Sequence, residues 1–386
     1  MRDEMKKVPR LRFRGFQEDW ELCKVKDFLI ESKIKGSNGK IAKKLTVKLW
    51  RKGIVAKEEV YEGSLATQYY VRKSGQFMYG KLDFLNQAFG IVPIELDGYE
   101  STVDSPSFDF KPLVDSVFFL EYVSLEKFYK YQGNIANGSR KAKRIHVETF
   151  FNMPLPTPSY KEQQKIGTLF KQLDDTITLH QRKLDQLKEL KKAYLKAMFV
   201  SMNTKNNKVP KLRFTDFEGD WEQRKLGNIS KMYQPQTITG TELLPSGYPV
   251  FGANGYIGFY SEMNHENDQV TISARGEGTG TINYVNGPVW ITGNSMVINV
   301  NDFDINKRFL HANLSSNSLK KYITGGAQPQ LTRDILTSVP IKLPNIFEQN
   351  KIGLFFKQLD ETVNLHQNKL TQLKSLKKAY LQNMFI

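Results

Sequence analysis

Four cations crowd one short stretch of this chain: Arg140, Lys141, Lys143 and Arg144. Arginine can grip the O6/N7 edge of guanine with two hydrogen bonds, and lysine neutralises phosphate. The plain alternative is a solvated charged loop. Arg72 and Lys73, with Tyr79 nearby, form a weaker set of the same kind, and a charge pair at a strand end would explain them equally well. A second group offers amides: Asn254, Arg275, Gln328 and Gln330. Asn and Gln side chains match the N6/N7 edge of adenine. Gly325 and Gly326 beside them would let backbone come close to a phosphate or sugar. An ordinary turn is the competing account of Gln328-Pro329-Gln330. The chemistry on offer is recognition of base edges and phosphates.

Bond-breaking chemistry has no comparable set. The chain contains no G-x-x-x-x-G-K-(S/T), so it is not expected to use ATP itself. Gly276, Gly278 and Gly280 are followed by a strand-like run, not the helix that a dinucleotide loop requires. Five histidines and one cysteine, Cys23, fall in no ligand-spaced cluster. Asp27 followed by Glu31-Ser32-Lys33 is a nuclease-like triplet of a kind common by chance. No adenine-methyltransferase signature of the Asn/Asp-Pro-Pro-aromatic type occurs. A reader without a catalytic kit is the expectation: no catalytic residue, metal or cofactor in this chain.

What must position these residues is a duplicated frame. VPRLRFRGFQEDWELCKV from Val8 returns as VPKLRFTDFEGDWEQRKL from Val209, with 10 of 18 positions identical. The run Glu162–Val200 returns as Glu348–Ile386, with 27 of 39 identical. The long echoes carry apolar residues at 3-4 spacing over five heptads, the signature of a coiled coil. Phe170, Ile177, Leu184 and Met198 share the a row with Lys191; Ile166, Leu173, Leu187 and Tyr194 share d with His180. Phe356 to Met384 and Ile352 to Tyr380 repeat both rows, with Lys377 and His366 at the polar positions. The histidines are expected to fix register or pair across helices. Ser159 with Glu162, and Asn345 with Glu348, have the spacing of a capping box. Each tag reads as an extended arm whose Leu11, Phe13 and Trp20, or Leu212, Phe214 and Trp221, pack on a neighbour. Leu190, Leu195, Leu376 and Leu381 lie off both rows and are expected to meet partner helices.

The stretches between the echoes look unlike each other. The first mixes strand signals (YYVRKSGQFMYG, FGIVPIELDGY) with a helix running into the basic loop. The second is richer in glycine and short strands, and its Asn254-Gly255 signals a hairpin. The fold class is therefore α+β: two mixed α/β domains joined by two long antiparallel coiled-coil helices, with pseudo-two-fold internal duplication. The expected divisions are 1–160 (arm and first domain), 161–202 (first helix), 203–346 (linker arm and second domain) and 347–386 (second helix).

The net charge of +16 points to a polyanionic partner. The charge is not concentrated in the variable stretches. Glu21–Tyr160 has 21 basic and 16 acidic residues, and Glu222–Ile346 has 10 and 9. Near-neutral domains with local basic loops suit a sequence reader, in which phosphate contacts position and base contacts specify. The lone cysteine excludes a disulfide framework, no apolar leader opens the chain, and no run reaches the ~18 apolar residues of a membrane span. A cytoplasmic protein with no membrane partner is expected.

The two copies of E-Q-x-K-I-G…K-Q-L-D-(D/E)-T…L-H-Q-x-K-L…L-K-K-A-Y-L, each after a Pro-rich exit, resemble those of specificity subunits of type I restriction–modification systems. GGAQPQLTRDIL, YPVFGANGYIG, RGEGTGTINYV and FGIVPIELDGY are also similar to recurrent patterns of that family. The resemblance implies a non-catalytic subunit for host defence and DNA methylation. Its two target-recognition domains would each read half of a bipartite site in double-stranded DNA. Its helices would bind two DNA-adenine methyltransferase (modification) subunits, and restriction subunits would join the complex. S-adenosylmethionine, ATP and magnesium are expected only in those partners. A helix of 39 residues spans roughly 58 Å, enough to act as a ruler between half-sites. The alternatives are a coiled-coil adaptor that binds only proteins, told apart by absence of sequence-specific duplex binding, and a self-sufficient nuclease, told apart by metal-dependent cleavage.

Overall fold

Both halves of the chain close on themselves with the same two-stranded ribbon. Glu21–Lys24 pairs antiparallel with Pro154–Thr157, and Glu222–Lys225 with Pro340–Leu343. The Pro-rich exits are thus strands, placed where each needs only one partner and a missing N–H does little harm. The structure, a computed structural model, describes residues 8–58, 64–135, 144–202, 207–276, 278–325 and 329–386. The chain divides into two compact units, Met1–Leu179 with Leu370–Ile386, and His180–Lys369.

Among the described residues of the first unit, a four-stranded antiparallel sheet runs in the order Leu29–Ser32, Ser107–Phe110, Phe77–Tyr79, Phe89–Ile91. Beside it are a three-stranded sheet (Lys35–Asn38, Gln68–Val71, Glu100–Ser101) and the hairpin Leu45–Val47/Ile54–Ala56. Helices α1 (Ser116–Val123), α2 (Glu126–Ile135) and α3 (Val147–Phe151) follow, and α4 is the long helix Tyr160–Ala197. The core is aromatic: Phe77, Phe84, Phe89, Phe108, Phe119 and Phe150 are almost fully buried. Their rings pack edge-on, tilted or stacked at centroid distances such as 5.1 Å for Phe77–Phe119.

The second unit has its own four-stranded sheet, in the order Lys231–Tyr233, Ser295–Asn299, Gln269–Ser273, Ile282–Val285. A three-stranded sheet joins Gly255–Tyr260, Tyr248–Gly252 and Trp290–Ile291, the last pair parallel. Helix α5 is Lys307–Ser316, α6 is Arg333–Thr337 and α7 is Ile346–Asn383. The hairpin at Asn254 forms, but Gly252 pairs with Gly255, so the turn residues are Ala253 and Asn254. Gly255 then opens the return strand at φ +120, where a side chain would be strained.

In chain order, both four-stranded sheets are arranged first, last, second, third. Sequences that look unlike therefore build four-stranded sheets of one strand order, while the smaller sheets differ: antiparallel throughout in the first unit, with one parallel pair in the second. The two inner strands of the second sheet, Gln269–Ser273 and Ser295–Asn299, are buried almost throughout, as is Phe77–Tyr79 in the first.

Each long helix has 38 residues. In the first unit Phe170 packs on Phe385, and Lys377 bonds both oxygens of Asp174 at 2.6 and 2.7 Å. In the second, Lys191 meets Asp360, Tyr194 packs on Phe355, and Phe199 on Phe356. Both sets of contacts run antiparallel. The polar lysines of the a row are thus paired with aspartates, and His180 Nδ1 lies 3.0 Å from His366 Nδ1. The capping-box expectation needs revision. Asn345 Oδ1 does accept from the Glu348 N–H at 3.0 Å. The Glu348 carboxylate, however, is taken by Arg213 at 2.8 and 2.7 Å, and Glu162 by Arg12 at 2.7 and 2.8 Å. A two-pronged bond to a guanidinium is a stronger partner for a buried carboxylate than the cap N–H.

These ion pairs anchor the arms. Trp20 and Trp221 are buried, and Phe13 and Phe214 are part-buried. Leu11 and Leu212 are exposed, contrary to expectation; their backbone N–H groups instead bond Asn383 O and Ala197 O, each at 2.9 Å.

Candidate nucleic-acid interface

In the second unit three loops meet where the strand Gln269–Ser273 ends. The backbone of Arg275 bridges that of Gln330, and Gln330 exchanges backbone hydrogen bonds with Thr324 at 2.9 and 3.1 Å. The N–H of Leu331 donates to Ala274 O at 2.9 Å, and Thr279 Oγ1 donates to Pro329 O at 3.0 Å. The hairpin tip joins them through Ser273, whose hydroxyl donates to Ala253 O. Asn254 reaches over Gly278, where a Cβ would meet its Oδ1 at 2.6 Å. Asn254, Arg275 and Gln330, scattered in sequence, are thus exposed on one loop cluster. Gly325 sits beside them at φ +94, a conformation suited to glycine. Gln328 and Gly326 lie outside the described residues.

The first unit has the same arrangement at its own strand end. Beyond Phe77–Tyr79, the N–H of Lys81 donates to Asp104 O at 2.9 Å, and that of Ile145 to Lys81 O at 2.9 Å. Ile145 therefore stands to Lys81 as Leu331 stands to Ala274. Arg144 precedes Ile145 and Gln330 precedes Leu331, so these two candidates hold equivalent places. Arg144 forms an ion pair with Asp104 at 2.8 Å, both side chains 43% exposed. A pair that open to water is worth little, so an incoming phosphate or base can displace the aspartate. Arg140, Lys141 and Lys143 lie outside the described residues.

Two sequence candidates are corrected. Arg72 is 2% exposed and donates to Ser101 Oγ at 2.7 Å, Ser107 Oγ at 2.8 Å and Ser32 O at 3.2 Å. Burial pulls its guanidinium down to about 10. Its donors tie two sheets together inside the unit. Tyr79 is fully buried, stacked on Phe108 at 5.8 Å, with its hydroxyl donating to Ile145 O. Neither can reach a nucleic acid in this fold. Lys73 is exposed, with its backbone N–H donating to Gln76 Oε1.

Lys81 was overlooked in the sequence, and its only signal is its place just after the strand FMYG. Burial lowers its pKa; Asp104 and Glu31 oppose that shift, while Arg144 and Lys33 add to it. Of the leucines expected to meet partners, Leu190 and Leu376 are exposed at 44% and 41%. Leu195 and Leu381 instead pack part-buried against their own units' cores. The equivalent pair Leu179 and Leu365, not singled out from the sequence, is exposed at 66% and 68%. Among the described residues no group of three or more His, Cys, Asp or Glu could hold a metal, and no helix is long and apolar enough to cross a membrane.

Two domains whose four-stranded sheets share one strand order, each with its own hydrogen-bonding set at the same strand end and each preceded by a repeated arm and followed by a repeated helix, define an internally duplicated protein. The chain belongs to the type I restriction modification DNA specificity domain family, whose model matches residues 99–189 and 218–375. It is 25% identical over 177 residues to the type I restriction enzyme EcoprrI specificity subunit of Escherichia coli, a match covering 45% of this chain and 43% of that one. It is 20% identical over 427 aligned positions to the MjaVIII specificity subunit of Methanocaldococcus jannaschii, covering 94% and 91%. Its fold is similar to the type I restriction–modification S subunit from M. genitalium, with a TM-score of 0.71 at 15% identity over 98% of this chain and 99% of that one.

Proposed function

We propose that the chain is the non-catalytic DNA-reading subunit of a type I restriction–modification complex. Each unit reads one half of a bipartite duplex site, and the helices set the spacing and dock two DNA-adenine methyltransferase subunits, which restriction subunits join. S-adenosylmethionine, ATP and magnesium belong to those partners. The observation that carries this reading is the equivalence of Arg144 and Gln330: one scaffold position holds an arginine, whose side chain suits guanine, in one unit and a glutamine, whose side chain suits adenine, in the other. Family membership does not favour the protein-only adaptor.

The test is methylation profiling of cells carrying the system. Arg144→Ala with Lys143→Ala is expected to relax one half-site, and Gln330→Ala with Arg275→Ala the other. A lost bidentate base contact costs ~1–3 kcal/mol and loosens one position. Equal degradation of both half-sites by each pair of substitutions would sink the assignment.

A further inference from the structure

In the first unit the arm and the opening turns of α4 enclose a groove of about 720 Å³. Its floor is apolar (Phe13, Phe16, Leu169), its rim carries Arg14, Lys161 and Lys165, and no carboxylate lines it among the described residues. The Lys165 ammonium lies over both phenylalanine rings, 6.0 Å from Phe13 and 5.6 Å from Phe16. Gly15 turns the arm at φ +96 with open space around it, so no side chain at that position answers the lysine.

The second unit repeats the frame with other chemistry. Lys351 lies over Phe214 and Phe217 at 5.0 and 5.6 Å. Here Asp216 occupies the place of Gly15 and forms an ion pair with Lys351. Thr215 replaces Arg14. In place of Lys161 stands Phe347, 74% exposed, and in place of Thr168 stands Leu354, 54% exposed. One site is basic and unneutralised by its own lining; its counterpart is self-neutralised and apolar.

We propose that the first groove is the dock for an acidic segment of a protein partner, with Arg14, Lys161 and Lys165 taking its carboxylates and Phe13, Phe16 and Leu169 an apolar side chain. Charge complementarity selects an acidic occupant. Because the Lys165 ammonium lies over both rings, a base stacking there would have to displace it, which favours a peptide over a nucleic acid. The inference rests on the reading that this chain recruits modification subunits, and it adds that two identical copies are held unequally, the first more sensitive to salt.

The full chain, co-expressed with the modification subunit of its system, would be followed by native mass spectrometry across a salt titration. The wild-type chain is expected to hold two copies at low salt and to shed one first as salt rises. Arg14→Glu with Lys165→Glu is expected to hold one copy, with the other weakened roughly tenfold or more. Arg14→Gln with Lys165→Gln should fall between, and both variants should melt like wild type because the substituted side chains are exposed. Two copies retained with wild-type salt dependence would overturn the inference, as would equal loss of both. Loss of duplex binding with both copies retained would assign the groove to nucleic acid and overturn it too. A wild-type chain that directs methylation to no sequence and recruits no copy would instead overturn the functional reading, and this inference with it.

Discussion

α1 and α5 are docked by the same device and secured by different ones. α1 follows Asp115, whose Oδ1 accepts from the Phe118 N–H at 2.8 Å; α5 follows Asn306, whose Oδ1 accepts from the Phe309 N–H at 2.9 Å. The backbone N–H of each cap donates to a glutamine of its unit's long helix, Gln163 at 3.2 Å and Gln349 at 3.1 Å. A glycine makes room for each cap: a Cβ on Gly167 would lie 2.0 Å from Asp115 Oδ1, and one on Gly353 2.5 Å from Asn306 Oδ1. Beyond the cap the units part. Glu121 on α1 is fully buried, bonded by Arg51 at 2.6 and 2.7 Å and by Lys377 at 3.2 Å. Burial works to raise its carboxyl, yet the bonds and charges of Arg51 and Lys377 carry it below the ordinary value. Counted from the cap, the same place on α5 is Ala312. Its neighbour His311 is pushed down to about 4, chiefly by burial and then by Lys191, with Asp360 opposing. The cap, its glutamine and its glycine recur in both units, whereas the place of Glu121, which reaches Lys377 on the long helix, holds Ala312 in the second unit and carries no such ionic network.

The largest expected break in that comparison is Glu121→Ala. It leaves Arg51 and Lys377 without their buried partner and should cost the first unit about 3–5 kcal/mol in denaturant unfolding, with little change in the second. Equal protection of both units in hydrogen exchange after this substitution would contradict the difference. Arg12→Ala and Arg213→Ala probe the shared frame. Each strands a buried glutamate, and each should cost its own unit about 3 kcal/mol. A clear inequality between the two would show that the arms are not equivalent.

Acid should separate the units more gently. A histidine with a lowered folded-state pKa favours folding above its unfolded value and penalises it as pH falls. His311 therefore weakens the second unit as pH drops from about 6.5 towards 4, and His265, also lowered by burial, acts in the same direction. The lowered Glu121 protects the first unit until pH falls through and below its ordinary value of 4.5. Hydrogen exchange resolved by peptide should show the second unit loosening at the milder pH, and His311→Phe should shift that onset towards acid. The smallest effect belongs to a circular permutant. Asn383 O holds the first arm as Ala197 O holds the second. Joining Ile386 to Met1 and reopening the chain at Asn206 should leave stability and the methylated sequence unchanged. A folded permutant that directs methylation elsewhere would show that the halves are not interchangeable in order.

The frame was legible because it is local and repeated. Heptad spacing placed Ile166, Phe170 and Leu173 in a seam, and they are buried there, as are Ile352, Phe356 and Leu370 in the second copy. The pairing of His180 with His366 was legible for the same reason. Arg72 and Tyr79 misled because a sequence shows a donor's chemistry but not its depth. Arg72 looked like a surface cation until Ser101, Ser107 and Ser32 closed around it.

By itself, the sequence determined the duplication, the long helices with their register, the arms that precede each domain and the absence of a familiar catalytic motif, since all of these are written in neighbouring residues at fixed spacing. Tertiary structure alone decided that both domains share one sheet order, that Asn254, Arg275 and Gln330 meet on one loop cluster, and that Arg144 and Gln330 occupy the same place. Each of those depends on strand pairing between segments far apart in the chain. That pairing is selected by which faces can be buried together, so it has no signature in any one stretch of residues.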